Sequence, residues 1–328
     1  MKKLFLLLLP FLLLFTVGCP GKKEPGQTSP DAVKRWKIGV SIPSATHGWS
    51  GGVVWHAGRM AEKLQNENAG ADVIIAASSD AQDQVNRIEN LMVRGVDALV
   101  VMSQEPKVVQ QICEKAHEKG IYLVIVSNPL EKPVQDVFVN GDNPGFGAAA
   151  ADAMGRVLGG EGVIVTMEGY SSPINTQRME AFRRTLAAKY PKIKILDSNL
   201  AYYNMEKALA LMENFLQKYP QIDGVWAGDD DALLGAVKAI HEHGRKDIKA
   251  VVGGGGSRKV VKMILDGDPV VRATVTYPPQ IICHGIQAAL DGLNNGKMPP
   301  AGKSEILVPS EIVLPENASG YYFPESVY

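Results

Sequence analysis

From residue 36 onward the chain alternates between two hydrophobic rhythms. Short runs rich in Val, Ile and Ala, at 37–42, 73–77, 98–102 and 122–127, are nearly continuous in apolar side chains. Between them, at 51–66, 82–94 and 108–119, apolar positions recur every three or four residues; Val85, Ile88, Leu91 and Met92 fall on one such stripe. Continuous apolar runs predict strands buried on both faces, and the intervening amphipathic stretches predict the helices that cover them, so the pattern is a repeated βαβ unit with a parallel sheet. After residues 142–145 the same alternation resumes. Helices are predicted at 147–158, 176–189, 205–218, 232–243 and 258–266, and strands at 162–167, 194–198, 224–227 and 250–252. A strand at 271–275, a helix at 280–290 and an extended run at 306–309 close the pattern and are expected to return to the first half. Two similar α/β halves therefore stand in tandem.

In open α/β sheets ligands bind beyond the carboxyl ends of the strands, which directs attention to the residues after each strand. Those positions are polar and aromatic: His47 and Trp49 after the first strand, Ser79 and Asp80 after the second, Gln104 and Glu105 after the third, Asn128 after the fourth. In the second half they are Glu168 and Tyr170, Asn175 to Arg178, Tyr202 to Asn204, and Asp229 to Asp231. Two readings stay open for several of them. Asp80 faces a ligand or caps the helix starting near Gln82. Asp230 or Asp231 is expected to cap the next helix, leaving Asp229 for the ligand, and Tyr203 is the candidate among its polar and aromatic neighbours.

The first thirty residues are different in kind. Lys2 and Lys3 precede an apolar run from Leu4 to Val17 that ends at Gly18 and Cys19. That run falls short of the roughly 20 residues a membrane-spanning helix needs, and its charged start and small-residue end read as a secretory signal, with an uncleaved anchor as the other reading. The end resembles the bacterial lipobox, with Thr16 where Leu is usual, which implies a signal peptide over 1–18 and lipidation of Cys19. Residues 19–35 are rich in Pro, Gly and polar side chains and predict a flexible tether. The full chain carries a net charge of -1, which becomes -3 once Lys2 and Lys3 are removed, with both signs scattered. No basic patch for nucleic acid emerges. Cys113 and Cys283 lie in amphipathic helical patterns and read as core residues rather than a disulfide.

With these residues laid out, residues 36–314 resemble the ribose- and galactose-type periplasmic binding proteins that serve bacterial ABC transporters. The resemblance rests on Val93-Arg94-Gly95-Val96-Asp97-Ala98-Leu99, Val139-Asn140-Gly141-Asp142-Asn143, Gly228-Asp229-Asp230-Asp231-Ala232-Leu233-Leu234-Gly235 and Lys249-Ala250-Val251-Val252-Gly253. It implies the periplasmic-binding-protein type I fold: two Rossmann-like lobes with parallel sheets and a three-crossover hinge, near 140–143, 274–278 and 303–308, that closes over the ligand. The lobes would be 36–141 plus 277–305, and 142–276 plus 306–328. By the same resemblance the ligand contacts fall on His47, Trp49, Asp80, Asn175, Arg178, Tyr203, Asp229, Tyr277 and Gln280, with Glu105 and Asn128 added from the strand ends. Where many relatives carry Asp after the eighth predicted strand, this chain has Gly254, Gly255 and Gly256.

The implied function is a substrate-binding lipoprotein, monomeric, that hands a sugar or polyol to an ABC permease; a surface sensor presenting the same solute to a chemoreceptor or kinase is the alternative. Paired polar side chains and aromatic platforms suit a ligand with hydroxyls on its rim and C–H groups on its faces. Enzymatic readings fit poorly. The glycine run lacks phosphate-loop spacing, adjacent aspartates do not converge on one metal ion, and His241 and His243 diverge on a helix. No cofactor is expected. The segment 315–328, with Tyr321, Tyr322 and Phe323, is expected to pack on a lobe, without an assigned role.

Overall fold

The computed structural model describes residues 35–45, 48–299 and 304–328; the expected signal peptide over 1–18, Cys19 and His47 lie outside them. The first lobe begins with β1 (Trp36–Pro43), α1 (Gly48–Asn66), β2 (Ala71–Ser78), α2 (Ala81–Val93), β3 (Ala98–Val101), α3 (Pro106–Glu118), β4 (Tyr122–Val126) and β5 (Val137–Gly141). The second holds α4 (Asn143–Leu158), β6 (Glu161–Glu168), α5 (Pro173–Lys189), β7 (Lys192–Leu200), α6 (Met205–Lys218), β8 (Gly224–Ala227), α7 (Asp230–Glu242), β9 (Ala250–Val252), α8 (Arg258–Leu265) and β10 (Val271–Val275). The chain then returns to the first lobe with α9 (Ile281–Asn294) and β11 (Glu305–Val308), and to the second with β12 (Ile312–Val313) and a 3-10 helix (Ala318–Tyr321).

Each lobe is one sheet between two helical layers. The orders are β11-β5-β4-β3-β1-β2 and β12-β10-β9-β8-β6-β7. The first sheet is parallel throughout, and in the second only β12 runs antiparallel, against β10. Strand alternation divides the cores. Leu99, Val101, Leu123 and Ile125 meet α2 and α3, while Ala98, Val100, Val124 and Val126 meet α1 and α9. In the second lobe Val165, Met167 and Val225 face α6, α7 and α8, while Ile164, Trp226 and Val252 face α4 and α5, where Trp226 stacks on Phe182 at 3.9 Å. Burial on both faces is why these strands read as continuous apolar runs.

The chain passes between lobes after β5, between β10 and α9, and between β11 and β12. The third passage lies later than the spacing suggested. All of β11 pairs with β5, from Glu305 opposite Phe138 to Val308 opposite Gly141, so residues 306–308 belong to the first sheet and the crossing is at 309–311. Of the stretch from 306 onward assigned to the second lobe, those backbone hydrogen bonds move 306–308 to the first, while β12 pairs with β10 of the second. β5 and β12 were not foreseen as strands. Each is short, and β5 sits where the sequence read only as a crossing.

Cys113 is buried against α2 and β3 and Cys283 packs on the first core; both thiols are free. Burial pushes them to about 12 and about 11, far from reactive thiolates.

Candidate functional site

A cavity of about 640 Å³ lies between the lobes, at the carboxyl ends of β1, β3 and β4 on one side and β6, β8 and β9 on the other. Trp49 enters it from the first turn of α1. Its indole Nε1 donates to the carbonyl of Tyr277 at 2.7 Å, fixing the ring against the second interlobe passage. Tyr277 itself points back across the cleft: its hydroxyl is 3.2 Å from Ser127 Oγ at the end of β4. A Cβ at Gly141 would overlap the Tyr277 ring, so the glycine in the first passage is what lets this tyrosine lie flat on the hinge.

Arg178 is held by packing as much as by hydrogen bonds. Its guanidinium lies 4.2 Å from the Phe146 ring and 4.4 Å from the Tyr277 ring, and its Nε donates to Asn143 Oδ1 at 2.9 Å. The two rings stand edge to face at 88° and form a corner that seats the guanidinium before a ligand arrives. Close crossing of α4 and α5 makes it possible, because Gly147 offers no side chain where the carbonyl of Arg178 passes.

Asp229 follows β8 and caps α7, accepting from Ala232 N at 2.8 Å. Burial pushes its carboxyl up to about 8, against the lowering effect of the Ala232 hydrogen bond, while Asp231 and Asp230 add repulsion and Arg178 opposes it. The group touches the cavity yet is otherwise enclosed by protein. Burial thus favours the protonated form, which can donate as well as accept, until a partner that stabilises the charge arrives.

Tyr203 completes this wall. It adopts φ 52° and its neighbour Tyr202 φ 59°, the left-handed region that non-glycine residues seldom occupy, and Ser127 on the opposite wall does the same at φ 66°. Such backbone strain collects where side chains must be aimed. The Tyr203 hydroxyl is buried with no hydrogen-bond partner among the described residues, and burial raises its pKa.

Of the residues read from the sequence, Trp49, Glu105, Asn128, Arg178, Tyr203, Asp229 and Tyr277 line one cavity. Glu105 is exposed at its mouth, and Asn128 donates to the carbonyl of Ser103 at 2.7 Å. Three others are elsewhere. Asp80 is exposed and caps α2 through Asp83 N at 2.8 Å. Asn175 is spent on the loop after β6: its Oδ1 accepts from Gly169 N and its Nδ2 donates to Glu168 Oε2. Gln280 stands at the start of α9, outside the lining. The reading missed Phe146, Tyr328 and Ser127. Phe146 lay hidden in what looked like one more apolar helix position, and nothing periodic marked Tyr328.

The two-lobed architecture and the interlobe cavity agree with the comparison to known proteins, in which residues 38–297 match the family described as periplasmic binding protein domain. The chain belongs to that family. Among curated relatives of this periplasmic binding protein, the ribose import binding protein of Bacillus subtilis (strain 168) is 27% identical over 301 residues, covering 90% of this chain and 95% of that protein. The xylitol-binding protein of Mycolicibacterium smegmatis is 34% identical over 197 residues, 59% of this chain and 55% of that protein. Among solved structures, an ABC transporter solute-binding protein from Mycobacterium smegmatis with bound glycerol superposes with TM-score 0.77 at 27% identity, covering 89% of this chain and 98% of that one.

Membership places the protein outside the cytoplasm and makes it a binding protein rather than an enzyme. Asp229 faces the cavity, Asp230 is fully buried and accepts from Gly254 N, Ser257 N and Thr274 Oγ1, and Asp231 accepts from Gly48 N of the first lobe at 3.3 Å. Three adjacent carboxylates thus point three ways, and among the described residues no cluster of His, Cys, Asp or Glu is placed to hold a metal ion.

Proposed function

We propose that this protein is the substrate-binding component of an ABC importer, that it closes its lobes over a small sugar or polyol, and that Cys19 anchors it to a membrane by a lipid. The observation that carries the reading is the convergence of a stacked guanidinium, a carboxyl raised to about 8 and three aromatic side chains, Trp49, Tyr203 and Tyr277, on one cavity. A polyol offers both donors and acceptors around its rim. Arg178 donates to hydroxyl oxygens, Asp229 accepts from adjacent hydroxyls, and Trp49 covers a C–H face. Glu105 and Asn128 stand at the rim on the first-lobe side. Relatives named for binding ribose or xylitol, and a neighbour with glycerol bound, support this ligand class, and the names of the ribose import binding protein and of the glycerol-bound ABC transporter solute-binding protein favour transport over sensing.

The test is a thermal-shift screen of protein starting at Arg35, unfolded and refolded to strip bound solute, against pentoses, hexoses, polyols, amino acids and nucleosides. A compound at about 100 times its dissociation constant stabilises by about 2.7 kcal/mol. A shift confined to sugars or polyols is expected; a shift only with amino acids or nucleosides overturns the ligand class. For the anchor, Cys19→Ser is expected to move the full-length protein from the membrane fraction to the soluble one.

A further inference from the structure

The segment after the 3-10 helix runs along the second lobe. Arg258 of α8 donates to the carbonyl of Pro324 at 2.8 Å, and Ser326, buried, bonds through Oγ to the carbonyl of Tyr328 at 2.6 Å. These contacts deliver Tyr328 into the mouth between the lobes, where it is 8% exposed and lines the same cavity as Trp49 and Asp229. The ring touches both lobes. A Cβ at Gly52 of α1 would lie 2.9 Å from the Cβ of Tyr328, and one at Gly48 would lie 3.1 Å from its Cδ2. On the second lobe a Cβ at Gly255 would overlap the phenolic oxygen. Gly255 has φ 117° and Gly256 φ 78°, so this loop is built of glycine for its backbone and for the space it leaves. The Tyr328 hydroxyl is buried and has no hydrogen-bond partner among the described residues.

We propose that Tyr328 is a specificity-determining residue of the binding site: the glycine loop 254–256 supplies no side chain of its own, and the phenol of Tyr328 occupies that position and offers its hydroxyl to the bound sugar or polyol. The inference rests on the ligand class argued above. A buried hydroxyl without a partner is costly unless something meets it, and a ligand hydroxyl in this cavity does so. The surrounding charge agrees, since burial and the nearby Asp230, Asp229 and Asp231 hold the phenol well above its ordinary pKa, so it stays a neutral donor. Because the ring also bears on Gly48 and Gly52, it limits how large a ligand fits beneath it.

The test compares wild type with Tyr328→Phe and Tyr328→Ala by titration calorimetry, using as probe whichever of D-ribose, D-allose, xylitol, glycerol, myo-inositol, L-glutamine or adenosine gives the largest thermal shift. Tyr328→Phe is expected to weaken that probe about tenfold while the melting temperature without probe stays equal or rises, because the unmet hydroxyl is gone. A residue with a merely structural role gives the opposite split. Tyr328→Ala is expected to admit a larger sugar better than wild type does. Binding by Tyr328→Phe within about twofold of wild type overturns the proposal. A probe from the amino acid or nucleoside class sinks the sugar reading but leaves this comparison intact. If no probe shifts wild type, 3-fluorotyrosine labelling decides, with the Tyr328 resonance assigned by its loss in Tyr328→Phe. A signal titrating like free 3-fluorotyrosine, below the tyrosine value of about 10, overturns the proposal, and a buried, non-titrating one supports it.

Discussion

Asp80 and Asp229 occupy the same local structure in the two lobes. Each follows a strand and caps the next helix, with φ -150° and ψ 176° for Asp80 and φ -154° and ψ 173° for Asp229, and each accepts from the backbone N–H three residues on at 2.8 Å. Their surroundings differ completely. β2 is the edge strand of its sheet, so Asp80 stands in solvent; β8 is an inner strand, so Asp229 opens onto the interlobe cavity and burial pushes it up to about 8. Capping chemistry is common property of the motif. Position in the sheet decides whether the same carboxyl also opens onto the cavity.

The comparison is broken most directly by truncating both. Asp229→Ala is expected to weaken sugar or polyol binding by about a hundredfold, the scale of losing a charge-assisted contact in a closed site. Asp80→Ala leaves calorimetric affinity within about twofold and lowers stability to urea by about 1 kcal/mol, the worth of a cap. Equal effects on binding would erase the distinction drawn from sheet position. Next in size, Arg178→Lys is expected to cost about tenfold in affinity, because an ammonium lacks the planar fork that Phe146 and Tyr277 hold in place.

A pH series sharpens the contrast. Ligand hydroxyls donating to Asp229 favour its ionised form, so affinity is expected to rise with pH up to about 8 and level off above it, in wild type and Asp80→Ala alike. Stability runs the other way. The folded carboxyl binds its proton more tightly than the unfolded one, so its stabilising contribution is present at low pH and is lost as pH climbs from about 4 toward 8. Burial also raises Asp230, to about 6, so Asp229→Asn is expected to lose the part of that slope between about 6 and 8 in urea melts at a series of pH values; an unchanged slope there would assign it to another group. Among the cavity residues the smallest effect is expected for Trp49→Phe, which keeps a ring but drops the 2.7 Å bond to the Tyr277 carbonyl, at about 1 kcal/mol of binding free energy.

Much of the site was legible because strand ends in an α/β sheet converge whatever side chains they carry. That rule, together with family resemblance, picked out Trp49, Arg178, Tyr203, Asp229 and Tyr277, which line one cavity. Asn175 was misassigned because an amide near a strand end serves the loop or the ligand equally well by sequence, and only its bonds to Gly169 and Glu168 tell which. Phe146 and Tyr328 went unread for a different reason. One looks like a core position on α4, and the other arrives from a segment without periodicity.

By itself the sequence determined the two α/β halves, their buried strands and the polar edge where they meet, since hydrophobic period and turn chemistry are local properties. Which edge residues face the cavity, where the third passage falls, and that Tyr328 fills the space above Gly255 were decided only in three dimensions. These depend on contacts between segments far apart in the chain, and burial, which sets both the Asp229 proton and the Tyr328 hydroxyl, is a property of that assembly.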